Sequence, residues 1–226
     1  MRAEELRNSR ITILERISDA CRRCGRAPED VTLVAVSKFF PASDIEALYA
    51  AGHRDFGENY VQEWQQKADA LPSDIRWHFI GSLQSNKAKH LVGRVDLIHG
   101  VDRFSLATTL DRRSAAPQAV LLQVNTGNDE AKGGVEPEHV MELFEACAPL
   151  EHLRVRGLMT IPPFDATQGE LRRYFSQMRK MFEELRRNDS SVDVLSMGMT
   201  SDFEWAIEEG ATHVRVGTAI FGRRAT

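Results

Sequence analysis

Cysteines and long apolar runs are scarce in this chain and a net positive charge is absent, and each closes off a class of function. Three cysteines in 226 residues are too few for a disulfide framework and fit a reducing compartment. Cys21-Arg22-Arg23-Cys24 has the spacing of a redox pair, but Gly25 follows at once. The pair therefore closes a helix at its negative end, where a thiolate is disfavoured. A zinc site needs more ligands than this, and Cys147 lies far off in an ordinary helical pattern. Both cysteines read as packing residues, and no metal is expected. A formal charge of −4 supplies no basic stripe, so no nucleic-acid partner is expected. The paired arginines Arg22-Arg23, Arg172-Arg173 and Arg186-Arg187 fall in charge-mixed helical patterns that read as solvated faces. No stretch has the build of a signal peptide or a membrane span, which predicts a cytoplasmic protein without a membrane partner. No Pro/Gly/Ser-rich linker divides the chain, and no strand is followed by the glycine fingerprint of a nucleotide-binding sheet.

What is present is a rhythm. At 42% hydrophobic content the chain can bury a substantial core. Residues 3–24 read as an amphipathic helix with Leu14, Ile17, Cys21 and Cys24 on its apolar stripe. After it come eight short apolar runs, each closed by small or polar residues: 31–36, 54–56, 77–80, 95–98, 119–124, 155–159, 194–195 and 212–216. Helical patterns start near Ser43, Asn59, Gln84, Arg103, Pro137, Thr167 and Ser201. Eight strands alternating with helices predict an α/β fold: a single (β/α)8 TIM-type barrel, with a doubly wound open sheet as the alternative. The expected organisation is one domain over residues 1–226, with the N-terminal helix of residues 1–25 packed on the barrel.

The first run, Val31 to Val36, leads into Ser37-Lys38. A lysine at the C-terminal end of a buried parallel strand sits where such sheets place their chemistry. It is either a side chain reaching into water or a partly desolvated amine able to form a Schiff base. Other strand ends carry Glu58-Asn59, Gly81-Ser82, His99, Asn125, Thr160, Ser196-Met197-Gly198 and Gly217-Thr218, a list rich in small and hydrogen-bonding residues. After the seventh strand, Gly198 is expected to let backbone approach a ligand, beside the hydroxyls of Ser196 and Thr200. Ser201 and Glu204 have the spacing of a capping box. The eighth strand adds exposed amides at Gly217-Thr218, and these two loops are the customary phosphate seat of a barrel. Alternation places His213, Arg215 and Gly217 on one face. A buried Arg215 must pair with a carboxylate or face a ligand. An amine, an arginine and a phosphate seat on one rim suggest a phosphorylated aldehyde.

The stretches Val34-Ala35-Val36-Ser37-Lys38, Phe56-Gly57-Glu58-Asn59-Tyr60-Val61-Gln62-Glu63, residues 77–87, Ser196-Met197-Gly198-Met199-Thr200 and residues 215–222 together resemble one family. It is that of the pyridoxal 5'-phosphate (PLP) homeostasis proteins, built like the N-terminal barrel of alanine racemase. The resemblance implies that Lys38 carries PLP as a Schiff base, that Ser196, Thr200, Gly217 and Thr218 surround its phosphate, that Arg215 faces the pyridine nitrogen, and that Asn59 lies near the ring, with Gly198 counted among the cofactor-binding residues. Two positions depart from the family: Phe39-Phe40 stand where Thr-Lys is common, and Thr200 stands where a serine is usual.

An arginine beside the pyridine nitrogen weakens the ring as an electron sink. Racemization needs a second base opposite the lysine. In the racemases this is a tyrosine from a C-terminal domain of the partner subunit, and the sequence is expected to lack that domain, since it stops at Thr226. Tyr49, Tyr60 and Tyr174 sit in helical patterns. The expectation is a PLP carrier without robust turnover that releases PLP to acceptors, PLP-dependent apoenzymes being the implied class. Lys132, which matches a loop lysine of the family, is either a second amine near the mouth or a surface lysine. A weak PLP-dependent racemase or lyase and a cofactor-free Schiff-base aldolase are the rival readings. A monomer is expected.

Overall fold

Eight parallel strands close on themselves in strict sequence order. They are β1 (Thr32–Val36), β2 (Asp55–Glu58), β3 (Arg76–Phe79), β4 (Leu97–Val101), β5 (Gln118–Val124), β6 (Leu153–Thr160), β7 (Val194–Ser196) and β8 (His213–Val216). The computed structural model describes residues 1–127 and 133–223; Lys132 lies outside the described residues. Closure runs through β1 and β8, with Thr32 opposite His213 and Ala35 opposite Val216. The fold is thus the (β/α)8 barrel with an added N-terminal helix, and the open sheet is excluded.

The helices are α1 (Arg2–Arg23), α2 (Ala42–Ala50), α3 (Val61–Ala68), α4 (Phe104–Arg113), α5 (Val140–Cys147), α6 (Gln168–Asn188), α7 (Phe203–Glu208) and α8 (Thr218–Phe221). Between β3 and β4 the helix expected near Gln84 is a 3-10 segment, Ser85–His90. Ser85 and Asn86 at its start favour local turns over helix. The Ser201–Glu204 capping box does not form. Asp202 takes the N-cap position of α7, and Glu204 instead pairs with Arg16 of α1 at 2.8 Å.

Burial is two-layered, as a barrel requires. Outward-facing strand residues such as Phe56, Leu122, Leu158 and Val214 join helix residues such as Trp64 and Phe175 in one large apolar cluster. A second, small cluster of Leu97, Leu121, Met159 and Val194 fills part of the barrel interior. Gly157 is where β6 and β7 press together. Its φ is +150°, and a Cβ there would lie 1.7 Å from the carbonyl oxygen of Val194. The pairing of β5 with β6 shifts register just before it.

α1 crosses α2, α7 and α8 and buries Leu6, Ile13, Ile17, Ala20 and Cys21. Ile17 and Cys21 are buried as expected, but Leu14, expected on that stripe, is 36% exposed, and Ile13 takes its place in the buried face. Cys21 is buried, and burial raises its thiol pKa. Cys24 points its thiol back at the carbonyls of Ala20 and Cys21. Among the described residues no helix is long and apolar enough to cross a membrane, and no group of three or more acidic, His or Cys side chains is placed to hold a metal ion.

Candidate functional site

The site begins where β1 ends. Ser37 is fully buried, and its hydroxyl donates to Glu58 Oε1 at 2.7 Å. Lys67 of α3, itself only 6% exposed, donates from Nζ to the Ser37 carbonyl at 2.8 Å, to Glu58 Oε1 at 2.6 Å and to Glu63 Oε1 at 2.7 Å. Glu63 Oε1 also accepts from the Phe39 backbone N–H at 2.5 Å. The chain is therefore gripped on both sides of Lys38, through Ser37 before it and Phe39 after it. The grip holds an unfavourable conformation: Phe39 has φ 69°, which costs a non-glycine residue about 1–2 kcal/mol. Burial raises the carboxyl pKa of Glu58, while the bonds from Lys67 and Ser37 pull it down. Two carboxyl groups and one ammonium group thus meet beneath the lysine, Glu58 and Lys67 buried and Glu63 22% exposed.

Lys38 is half-buried and opens onto a cavity of about 470 Å³ at the C-terminal end of the barrel, a size suited to a small ligand. Asn59, Thr200, Arg215, Gly217 and Thr218 line the same cavity, with Val36, Phe40, Ile80 and Ile161 supplying apolar wall. Six of the eight residues singled out from the sequence are brought together here. Thr218 and Thr200 face each other with hydroxyls 3.3 Å apart. Among the described residues Asn59 Oδ1 is buried without a hydrogen-bond partner, an acceptor left for something in the cavity to satisfy.

Arg215 is 3% exposed, and no carboxylate among the described residues makes an ion pair with it. Nη1 donates to Ser196 Oγ at 2.6 Å and Nη2 to the Thr160 carbonyl at 2.7 Å. Burial lowers its pKa to about 10, opposed by the field of Asp202, so it remains a cation at neutral pH. Of the two arrangements considered for this arginine, the carboxylate pair is not formed among the described residues, and Arg215 lines the cavity.

Ser196 and Gly198 are not in the cavity wall. Ser196 is fully buried beneath it, where its partner is Arg215. Gly198, with φ +92°, brings backbone close to α7 instead: a Cβ would lie 2.6 Å from that of Ala206 and 2.9 Å from Phe203 Cα. His99 is not at a strand end but inside β4 and fully buried. The residues that grip Lys38 were visible in the sequence only as parts of a motif. The signals were the Glu63–Lys67 spacing of four, which pairs charges along a helix, and a glutamate closing a strand buried on both faces.

Residues 13–225 match the family described as "Alanine racemase, N-terminal domain". A protein of Aquifex aeolicus named pyridoxal phosphate homeostasis protein is 48% identical over 217 residues, covering 94% of this chain and 95% of its own. The Escherichia coli protein of the same name is 45% identical over 222 residues, covering 94% of each. Among solved structures, PipY of Synechococcus elongatus with PLP bound is 40% identical, covers 93% of this chain and 100% of its own, and superposes with a TM-score of 0.80. Alanine racemase from Corynebacterium glutamicum, 18% identical with a TM-score of 0.73, covers 93% of this chain and 62% of its own and shares the fold. From its first helix to its last, the chain belongs to the pyridoxal phosphate homeostasis protein family.

Proposed function

We propose that the cavity binds pyridoxal 5'-phosphate, held covalently through Lys38, and that the protein serves PLP homeostasis by carrying PLP and releasing it to acceptors such as PLP-dependent apoenzymes. The observation that carries this reading is the opening of a strand-end amine, an arginine without a carboxylate partner among the described residues, and two facing hydroxyls onto one cavity. The residues present fit the group. Lys38 supplies the amine, the hydroxyls of Thr200 and Thr218 with the Gly217 backbone suit an anionic phosphate, and Arg215, which can only donate, suits an unprotonated ring nitrogen. Asn59 Oδ1 offers a desolvated acceptor. When bound, PLP supplies an aldehyde that condenses with amines and a ring that withdraws electrons.

A carrier without robust turnover is supported by what lines the wall. No tyrosine does so among the described residues. Tyr49 donates to Asp74 at 2.6 Å on the outside, and Tyr60 packs its ring 5.3 Å from Phe39 at the rim. Lys38 is then the one lysine on the described wall, and among the described residues no second lysine or tyrosine lines it to move a proton on the opposite face. The names of the Aquifex and Escherichia relatives point the same way.

Borohydride reduction of the PLP-loaded protein followed by peptide mass mapping tests this. The wild type is expected to carry the reduced adduct on the Lys38 peptide, and Lys38→Ala to carry none there. An adduct spread over surface lysines in both proteins sinks the assignment. Incubation of the loaded protein with L-alanine in D2O is expected to show no protein-dependent α-proton exchange by NMR; exchange that scales with protein concentration would favour a racemase.

A further inference from the structure

Inside the barrel, five polar side chains from five strands stand in single file. Arg215 of β8 meets Ser196 of β7 at 2.6 Å. Ser196 Oγ lies 3.0 Å from His99 Nδ1 of β4, His99 Nε2 lies 3.1 Å from His78 Nδ1 of β3, and His78 Nε2 lies 3.2 Å from Asp55 Oδ1 of β2. The file ends in an ion pair, since Arg76 donates to Asp55 from Nε at 2.8 Å and from Nη2 at 2.5 Å. Ser196 and His99 are fully buried and His78 is 4% exposed, so bulk water does not compete for these bonds.

We propose that this file is a hydrogen-bonded chain of one fixed direction, from Arg215 at the cavity to Asp55 near the opposite end of the barrel, in which His99, His78 and Asp55 are positioning residues that act on Arg215 through Ser196. The direction follows from donor counting. A guanidinium has no acceptor, so Ser196 Oγ accepts from it. The serine has one hydrogen to give, and His99 Nδ1 is its remaining neighbour. A neutral imidazole accepting at Nδ1 carries its hydrogen on Nε2, which points at His78 Nδ1. His78 by the same count carries its hydrogen on Nε2, which points at the Asp55 carboxylate. Every hydrogen meets one acceptor, and each end of the chain carries the charge its polarity calls for.

The reverse direction fails at both ends. His99 would donate to Ser196, leaving the serine hydrogen without an acceptor among the described residues. His78 would donate from Nδ1, and its Nε2 would face a carboxylate without a hydrogen unless the ring took a second proton. The surroundings favour the forward state. Burial, with the fields of His78 and Arg215, holds His99 far below the usual histidine range, hence neutral. Burial works to raise the Asp55 pKa, but the bonds from His78 and Arg76 overcome it and hold the carboxyl well below the usual range. The His213 ring, 5.8 Å from that of His78, is also held neutral, its pKa pushed down to about 3 mainly by burial.

In this arrangement Arg215 is located by a serine oxygen and the Thr160 carbonyl, two neutral acceptors, so its charge is left for the cavity. The consequence for bound PLP rests on the reading of the cavity above; the proton positions do not.

The test is therefore made first on the protein without PLP. Long-range 1H–15N correlation spectra of 15N-histidine-labelled protein at neutral pH should show His99 and His78 both as the Nε2–H tautomer. An Nδ1–H tautomer or an imidazolium at either residue overturns the assigned direction. Asp55→Asn, which removes the acceptor charge from a residue that does not touch His99, should move the His99 nitrogens; an unchanged His99 signal overturns the coupling. In a second arm, Ser196→Ala should weaken PLP binding by about tenfold, the lower end of the loss when an outer-shell partner is removed at metal sites. Ser196→Thr should restore it. Wild-type affinity in Ser196→Ala overturns the positioning role. If the wild type binds no PLP, the cavity reading fails while the tautomer result still decides the chain.

Discussion

Lys67 shows how one side chain can fix the setting of another. It touches nothing in the cavity, yet it donates to the Ser37 carbonyl, Glu58 and Glu63 and so ties down the backbone on the near side of Lys38. Lys67→Met should cost about 3–5 kcal/mol, because Glu58 would be left buried and charged without its partner. Urea denaturation measures it, and Glu58→Gln in the same background should recover part of the loss. Gly157→Ala is a sharper case. A methyl 1.7 Å from the Val194 carbonyl cannot be accommodated without parting β6 from β7, and a loss of more than about 4 kcal/mol is expected; a midpoint within error of wild type would show that the strands separate freely. Lys38, Thr200 and Thr218 could be placed on one rim from the sequence because strand ends and loop hydroxyls are where barrels expose chemistry, and Arg215 because strand alternation sets its face. The pairing of His78 with His99 was not legible there, although His99 itself was. They lie on different strands with no sequence spacing to connect them, and only closure of the barrel places their rings 5.3 Å apart.

α1 is held in two ways that contribute unequally. Ile13 and Ile17 are each 2% exposed, and truncating either to alanine should cost about 2–4 kcal/mol through lost burial and the space left behind. Arg23 pairs with Glu208 at 2.7 Å but is 52% exposed, and Glu208 keeps Arg172 as a second partner. Arg23→Ala should therefore cost less than about 1 kcal/mol. Thermal melts of the three variants would rank these, and a larger loss for Arg23 than for the isoleucines would show that ion pairs rather than packing seat the helix. Ile17 and Cys21 of the stripe expected from the sequence are buried, but Leu14 was placed there instead of Ile13 because both are apolar. Periodicity alone does not choose between adjacent positions when the neighbouring element is unknown.

At the scale of the molecule, buried histidines set the response to acid. His53 accepts from Arg10 at Nδ1 and donates from Nε2 to the Asp55 carbonyl, and burial, with the field of Arg10, lowers its pKa to about 4. Below about pH 6.5 the unfolded chain takes up a proton at this position that the folded chain refuses until about pH 4, so stability falls as pH falls through that window. For His53 alone the slope approaches about 1.4 kcal/mol per pH unit. His213 adds to it, and Asp55, whose folded pKa is depressed, adds a further loss only at lower pH. Urea midpoints at pH 7, 6 and 5 should decline steadily in wild type and less steeply in His53→Gln; parallel declines would place the titrating group elsewhere. The eight strands were legible as apolar runs with about the right boundaries, since each is buried on its outward face by a helix. β2 was cut short at Phe56 because Gly57-Glu58 breaks the apolar pattern, although Glu58 belongs to the strand and anchors the lysine grip. The one connection read wrongly, Ser85–His90, lies where serine and asparagine outweigh helical periodicity. Finally, the pairing of β1 with β8 leaves this sheet without an edge. No visiting chain can add a strand to it, and the mode of recognition in which an extended peptide borrows backbone hydrogen bonds from a sheet border is closed. Any protein that comes to the mouth must meet it through loops and side chains such as Phe39, Tyr60 and Phe164, all exposed, and those can change in evolution without disturbing the register of a single strand.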